Sequence, residues 1–331
     1  MSIYSRIIPF LSLIAFSCDS DPLQVPLEEV KTEVKVLRYD QEIFTVNRKN
    51  IDTQLDKLAK IYPFFINGNY KSAEVVNDLL PYLEDSLNIQ LKNEVAKDQK
   101  GMTEVEKTLS EAFQYFQYYY PKDKLPSVYA YISVLDYEHP VDWIDSMSTV
   151  LIASDMYLGP NFELYKSLNL YKYQTYRLQP KFIPIDIFAA CAATKYPNLE
   201  SEGTNFIEKM VSLGKVQYFV NAMLPFVADS TRLKYNPTQM VWAQKKEVGL
   251  WRYFVEKKLL HSQDELAFRK FIEDGPFTSS EEPESPGRIG DYIGWRIVKS
   301  YMENNHDVSL DDLMKEKDLL KIFTQSKYKP E

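Results

Sequence analysis

A zinc peptidase built on a helix pair needs two imidazoles one helical turn apart with a glutamate beside the first, the H-E-x-x-H arrangement that puts metal and general base on one helix face. The 331-residue chain has three histidines, His139, His261 and His306, and none has another at i+3, i+4 or i+5. A nucleophile-elbow hydrolase would want G-x-S-x-G, and phosphate cradling would want G-x-G-x-x-G or G-x-x-x-x-G-K-[ST]; none occurs. A carboxylate pair for glycoside cleavage stays open, because any two of the 47 acids could meet in a fold. His139 stands among Asp136, Glu138, Asp142 and Asp145, without calcium-loop spacing, and reads as a solvated turn. The expectation is no catalytic residue, no metal site and no cofactor.

Four side chains carry a binding expectation. Tyr157 ends a strand in "SDMYLGP", residues 154 to 160, and reads as exposed beside a glycine turn. The stretch "SPGRIGDYIGWRIVKSYM", 285 to 302, places Ile289, Ile293 and Ile297 on one helix face, leaving Arg288, Asp291 and Arg296 for a buried polar network or a contact site. Gly290 and Gly294, four apart, would let another helix approach closely. The bland alternative is a packed core helix and a structural strand end. Trp251, Tyr253 and Phe254 in "WRYFVEKKLL" read as amphipathic packing, with a partner face as the alternative.

Cys18 is a different kind of reactive residue. One cation, Arg6, precedes an apolar run from Ile7 to Phe16 that only Ser12 interrupts. That run is too short for a membrane-spanning helix, which needs about 20 apolar residues, and suits a signal-peptide core. It ends in Ala15-Phe16-Ser17-Cys18, small residues at −3 and −1 before a cysteine, a loose lipobox. The expected organisation is a signal peptide at 1–17, a lipid-anchored tether at 18–33 beginning with acylated Cys18, and a single globular domain at 34–331. An ordinary secretory signal that happens to contain a cysteine is the alternative. With Cys18 acylated, Cys191 has no partner, and its alanine-rich setting predicts a buried, inert thiol.

Charge and composition narrow the partners. The formal net charge is −8, and removing residues 1–17, whose one charge is Arg6, gives −9. An acidic chain without a basic block is poorly suited to nucleic acid. Ten glycines, against a usual ~7% of residues, disfavour glycine-turn-rich all-β folds. Aromatics reach 14%, with 24 tyrosines, which reads as a tyrosine-rich core and surface or as a sticky face for a protein or glycan.

The positioning elements are mostly helical. A strand is expected over 34–44, a helix over 50–65, and helical residues over 74–98 with a break near Pro81. A helix over 103–121 opens on a Thr103/Glu106 capping box. Strands follow at 127–137 and 149–159, with "EHPVDWIDS" between them as an acid-rich turn. Helices are then expected at 161–168, 183–195, 204–224, 238–258, 264–272, 287–303 and 309–323. The fold class is α+β, predominantly helical with a small sheet. The helix pair 183–195 and 204–224, after an edge-like strand, has the layout of a zinc peptidase. Yet Asp186 is the first helix's sole candidate ligand, and the second shows Leu213-Gly214 where a glutamate before glycine would be wanted.

The ordered segments "LRYDQEIF", "YPFFINGNY", "LIASDMYLGP", "YRLQPKFIPIDI", "GKVQYFVNAMLP", "WRYFVEKKLL", "SPGRIGDYIGWRIVKSYM" and "IFTQSKYKP" resemble the GldB gliding-motility lipoproteins of the Bacteroidota. The resemblance runs over most of the chain, and the cysteine at 18 fits it. It implies a non-enzymatic part in the gliding machinery tied to type IX secretion. The implied place is the cell envelope, with other gliding or secretion proteins as partners and a lipid such as palmitate on Cys18. Which membrane holds the anchor is open in the sequence, and the periplasmic face of the outer membrane is the expectation. It implies no catalytic residue. GldB-like chains are also faintly similar to zincin-like predicted metalloproteases, which implies a degenerate zincin-like scaffold, a pseudoenzyme kept for binding. The alternatives are an anchored peptide or glycan hydrolase and a periplasmic chaperone-like binding protein.

Overall fold

The computed structural model describes residues 23, 25–27, 32–197, 199, 202–279 and 282–331. Cys18, the signal segment and most of the tether lie outside them. In chain order the first half contains β1 (Val36–Arg38), α1 (Tyr39–Glu42), α2 (Ile51–Ile61), α3 (Ala73–Glu84), α4 (Ser86–Lys97), α5 (Gln99–Tyr119), β2 (Ser127–Tyr131), β3 (Val141–Ile144) and β4 (Thr149–Ala153). The second half contains α6 (Lys172–Tyr176), α7 (Ile183–Lys195), α8 (Phe206–Met223), α9 (Asp229–Arg232), α10 (Pro237–Glu256), α11 (Glu265–Phe271), α12 (Ile289–Asn304), α13 (Leu310–Lys315) and α14 (Leu319–Ser326). This is the predominantly helical α+β fold expected from the pattern.

The sheet has the order β1-β2-β4-β3. β1, β2 and β4 are parallel, with Val128 opposite both Val36 and Val150, while β3 runs antiparallel at the edge. Parallel strands are covered on both faces and so read as near-continuous apolar runs. That is why all five residues of β4, Thr-Val-Leu-Ile-Ala, are buried. Alternation still sorts the sheet into two faces. Tyr129 and Leu151 join Leu55, Leu58 and Tyr62 of the α2 side. Val128, Ala130, Val150 and Ile152 join Phe113, Phe116 and Phe188 in the larger core under α5 and α7. Leu23 is buried in that larger core as well.

Several boundaries differ from expectation, each for a local reason. The predicted strand 34–44 keeps only Val36–Arg38. Before it, the Val34 and Val36 amides donate to Ser110 Oγ and Glu106 Oε1 of α5 rather than to a strand. After it, the chain coils into α1, with Asp40 held by Arg38 and Ser154. Thr103 is no cap: α5 begins four residues earlier under Asp98, which accepts from the Gly101 amide, and Thr103 bonds back to the Gln99 carbonyl. Pro81 sits inside α3, and the break falls at Asp85, whose carboxylate caps α4 through the Leu87 and Asn88 amides. The acid-rich turn contains the strand β3, where Trp143 points inward against Phe116, ring centroids 5.5 Å apart. Residues 163–168 form a 3-10 segment, and the last predicted helix is two, α13 and α14.

The helical half is organised on α8, which α12 crosses at close range. Gly294 lies where a Cβ would collide with the Met210 carbonyl, and Gly214 where one would collide with Gly294 itself. In α8, Lys215 is fully buried, its Nζ 2.7 Å from the Glu316 carbonyl and 3.5 Å from Glu202 Oε2. Burial pushes its pKa down from the ordinary lysine value.

Candidate functional site

A polar constellation gathers at the N-terminal end of α7, between the sheet and the start of α12. Tyr157 closes the 3-10 turn that follows β4 and is 3% exposed, not the exposed tyrosine expected. The turn coils inward because Asp155, also buried, accepts the Ser133 and Leu135 amides at 2.8 and 2.6 Å. Those amides belong to a loop that takes Val134 and Leu135 through positive φ of 62° and 63°. Burial pushes the Asp155 carboxyl up, and its amide donors oppose that rise. The Tyr157 hydroxyl donates to Asp186 Oδ2 at 2.9 Å, in the first turn of α7. Burial, then the Asp186 carboxylate, holds the phenol far above its usual range.

Asp186 also pairs with Lys234. The neighbouring Tyr235 hydroxyl donates to the Arg288 carbonyl at 3.0 Å. Arg288 enters α12 at a left-handed φ of 54°, and its guanidinium grips Asp291 Oδ2, with Nε at 3.0 Å. The Asp291 charge raises the guanidinium pKa further. Nearby, Arg177 pairs with Asp274 at 2.8 Å. A cleft of about 210 Å³ opens over this group, with Tyr173, Tyr176 and Arg177 on one wall and Lys234, Tyr235 and Gly287 on another. Tyr157, Arg288 and Asp291 thus come together through Asp186, Lys234 and Tyr235.

Arg296 belongs elsewhere. Its Nε donates at 2.9 Å to Glu247 of α10, a buried carboxylate that also accepts the Tyr292 hydroxyl at 2.6 Å and the Tyr328 hydroxyl at 2.7 Å. The Tyr328 ring packs edge-on against Trp251, centroids 5.0 Å apart, so the C-terminal segment is latched to α10. The expected polar network at 285–302 is therefore two separate networks, one through Arg288 and Asp291 and the other through Tyr292 and Arg296.

Chemically, these carboxylates are occupied. Asp186 holds a phenol and an ammonium, Asp291 a guanidinium, and Glu247 a guanidinium and two phenols. A general base needs a lone pair facing the proton it takes. Both oxygens of Asp186 and of Glu247 face protein donors, whereas the buried Asp291 Oδ1 has no hydrogen-bond partner among the described residues. His139 Nδ1 lies 3.2 Å from Asp136 Oδ2 in an exposed turn. Among the described residues no three of His, Cys, Asp and Glu gather so as to hold a metal ion. Cys191 is buried in α7, and burial drives its thiol pKa far up, away from reactive thiolate.

A family described as gliding motility protein GldB matches residues 20–330. The chain belongs to the GldB family. No curated protein and no solved structure matches it. The resemblance read from short segments thus extends over nearly the whole chain. In this GldB-family chain those segments meet in space: Asp40 of "LRYDQEIF" accepts Ser154 of "LIASDMYLGP", and Asp186 of "YRLQPKFIPIDI" accepts Tyr157 of the same stretch. Likewise Tyr328 near the C-terminus reaches Glu247, one turn before "WRYFVEKKLL". Among the described residues no helix is long and apolar enough to cross a membrane.

Lys234, Tyr235 and Glu247 escaped the sequence reading. A signal for the first two existed: they abut Asn236 and Pro237, where Asn236 and Gln239 form a capping box that opens α10. Nothing in the sequence marks Glu247 apart from the other acids; its role depends on which helix faces meet.

Proposed function

We propose that this chain is a lipid-anchored, non-enzymatic component of the gliding machinery linked to type IX secretion, held through Cys18 on the periplasmic face of the outer membrane. The observation that carries the reading is the GldB-family match over residues 20–330. The lipobox ending at Cys18 supports the anchor. Acylation adds ~0.8 kcal/mol per buried methylene, and two or more chains give stable retention. The pairing of both oxygens of Asp186 and of Glu247 with protein cations and phenols supports a binding rather than a catalytic role. The degenerate peptidase scaffold is part of the same proposal: α7 packs beneath the antiparallel edge strand, where the Thr194 hydroxyl donates to the Trp143 carbonyl, and α8 packs on α7.

The test is genetic and biochemical together. Cells lacking the chain are expected to lose surface gliding, and wild-type protein to restore it. The wild-type protein is expected to incorporate a labelled fatty acid and to fractionate with membranes. Cys18→Ala is expected to do neither and to fail in complementation. Full gliding without the chain would refute the role, and unchanged labelling of Cys18→Ala would refute the anchor. One zinc per purified molecule would refute the metal-free scaffold.

A further inference from the structure

A cleft of about 470 Å³ lies at the opposite end of α7 from the Asp186 constellation, where the C-terminal ends of α5 and α7 meet α13. Clefts of roughly 300–1,000 Å³ are the size that holds small ligands. Three carboxylates line it, Asp123, Asp145 and Asp311, and so do three ammonium groups, Lys122, Lys195 and Lys315. Tyr119, Tyr120, Tyr196 and Pro121 supply rings, and among the described residues no Leu, Ile, Val, Met or Ala lines the cleft.

The polar groups are ordered by one another. The Tyr120 and Tyr196 hydroxyls lie 2.9 Å apart, Tyr196 donates to Asp311 Oδ1 at 2.7 Å, and Lys315 donates to Asp311 Oδ2 at 2.6 Å. Lys195 pairs with Asp123 and sits 4.7 Å over the Tyr120 ring. The Trp143 indole, 3.4 Å from Asp145 Oδ1, ties that carboxylate to the strand β3.

We propose that this cleft is a binding site for a neutral saccharide of one or two rings. Equal numbers of carboxylate and ammonium groups give no net preference for an anion or a cation. They do offer acceptors and donors side by side, which is what a ring of vicinal hydroxyls, each donor and acceptor at once, can satisfy. Half-buried Tyr119 and exposed Pro121 offer ring faces for the apolar C–H face of a sugar, while Tyr120 and Tyr196 are buried and Lys195 covers the Tyr120 ring. A peptide would instead want aliphatic subpockets or a free strand edge to pair with. The site shares no residue with the Cys18 anchor or with the Asp186, Asp291 and Glu247 networks, so either proposal can fail alone.

The test titrates the purified full-length protein with cellobiose, maltose and chitobiose. Capped tri-alanine amide and glucuronate serve as the peptide and anion probes. Binding is read by calorimetry and by saturation-transfer NMR. At least one disaccharide is expected to bind in the millimolar range or tighter, and better than either control probe. Asp145→Ala and Lys315→Ala remove exposed side chains that bond to the Trp143 indole and to Asp311, so each variant should stay folded with at most a small drop in melting temperature. Each is expected to weaken that binding several-fold, and the double variant about tenfold or more. No disaccharide binding at millimolar concentration, affinity unchanged in the double variant, or equal binding of tri-alanine or glucuronate would each overturn the proposal.

Discussion

Gly214 of α8 and Gly294 of α12 meet backbone to backbone, so that a methyl group on either would strike the other helix. Gly294→Ala is expected to cost about 3 kcal/mol of unfolding free energy, because main chain cannot move aside as a side chain can. Gly249, on the exposed face of α10 with open space around its Cα, is the control. There alanine should stabilise by about 0.5–1 kcal/mol through helix propensity. Urea unfolding of both variants decides the matter, and equal effects would mean that the close crossing is not what these glycines serve.

The C-terminal latch gives a graded series. Tyr328→Phe removes one hydrogen bond to Glu247 and is expected to cost about 1 kcal/mol. Glu247→Ala leaves the half-buried Arg296 without its carboxylate, and strands the Tyr292 hydroxyl as well. It should cost about 3 kcal/mol. Hydrogen exchange should show α14 and the residues after it loosening in Tyr328→Phe before the sheet does.

Asp155→Ala should be among the most damaging changes at the sheet end. It leaves the Ser133 and Leu135 amides unpaired in a loop that already holds positive φ at two non-glycine residues. Loss of about 3 kcal/mol is expected, measured by thermal or urea unfolding.

Alkaline pH should unfold the protein through its buried tyrosines. Burial raises the Tyr39 and Tyr131 phenols from 10.0 to about 12. A group whose folded pKa lies above its unfolded value contributes stability that is complete below the unfolded value and lost as pH rises through the folded one. The melting temperature should therefore fall between pH 10 and pH 12. In the Tyr39→Phe, Tyr131→Phe double variant that fall should be shallower; an identical slope would show that other groups drive it.

What the sequence made legible was whatever rests on local pattern. The isoleucine face of α12, the close-approach glycines, the α7 and α8 pair and the buried Cys191 follow from periodicity and residue size. Boundaries failed where a distant side chain claimed the backbone. Ser110 and Glu106 took the Val34 and Val36 amides. Asp98 capped α5 ahead of a plausible Thr103. β3 was hidden because it is four residues long, carries an acid at Asp142 and buries only Trp143. Tyr157 looked exposed because the turn that buries it is pinned by Asp155 to residues 20 and more positions upstream. Arg288 and Asp291 were found because they share one helical turn, whereas their neighbours Lys234 and Tyr235 arrive from a different segment.

Leu23 sits in the core only five residues beyond Cys18. A fully extended chain covers at most ~3.3–3.6 Å per residue, so five residues reach about 18 Å. An acyl group on Cys18 would then moor the folded body almost flush with the bilayer, on a leash too short to roam. Encounters would be confined to molecules lying within the headgroup layer or pressed close above it.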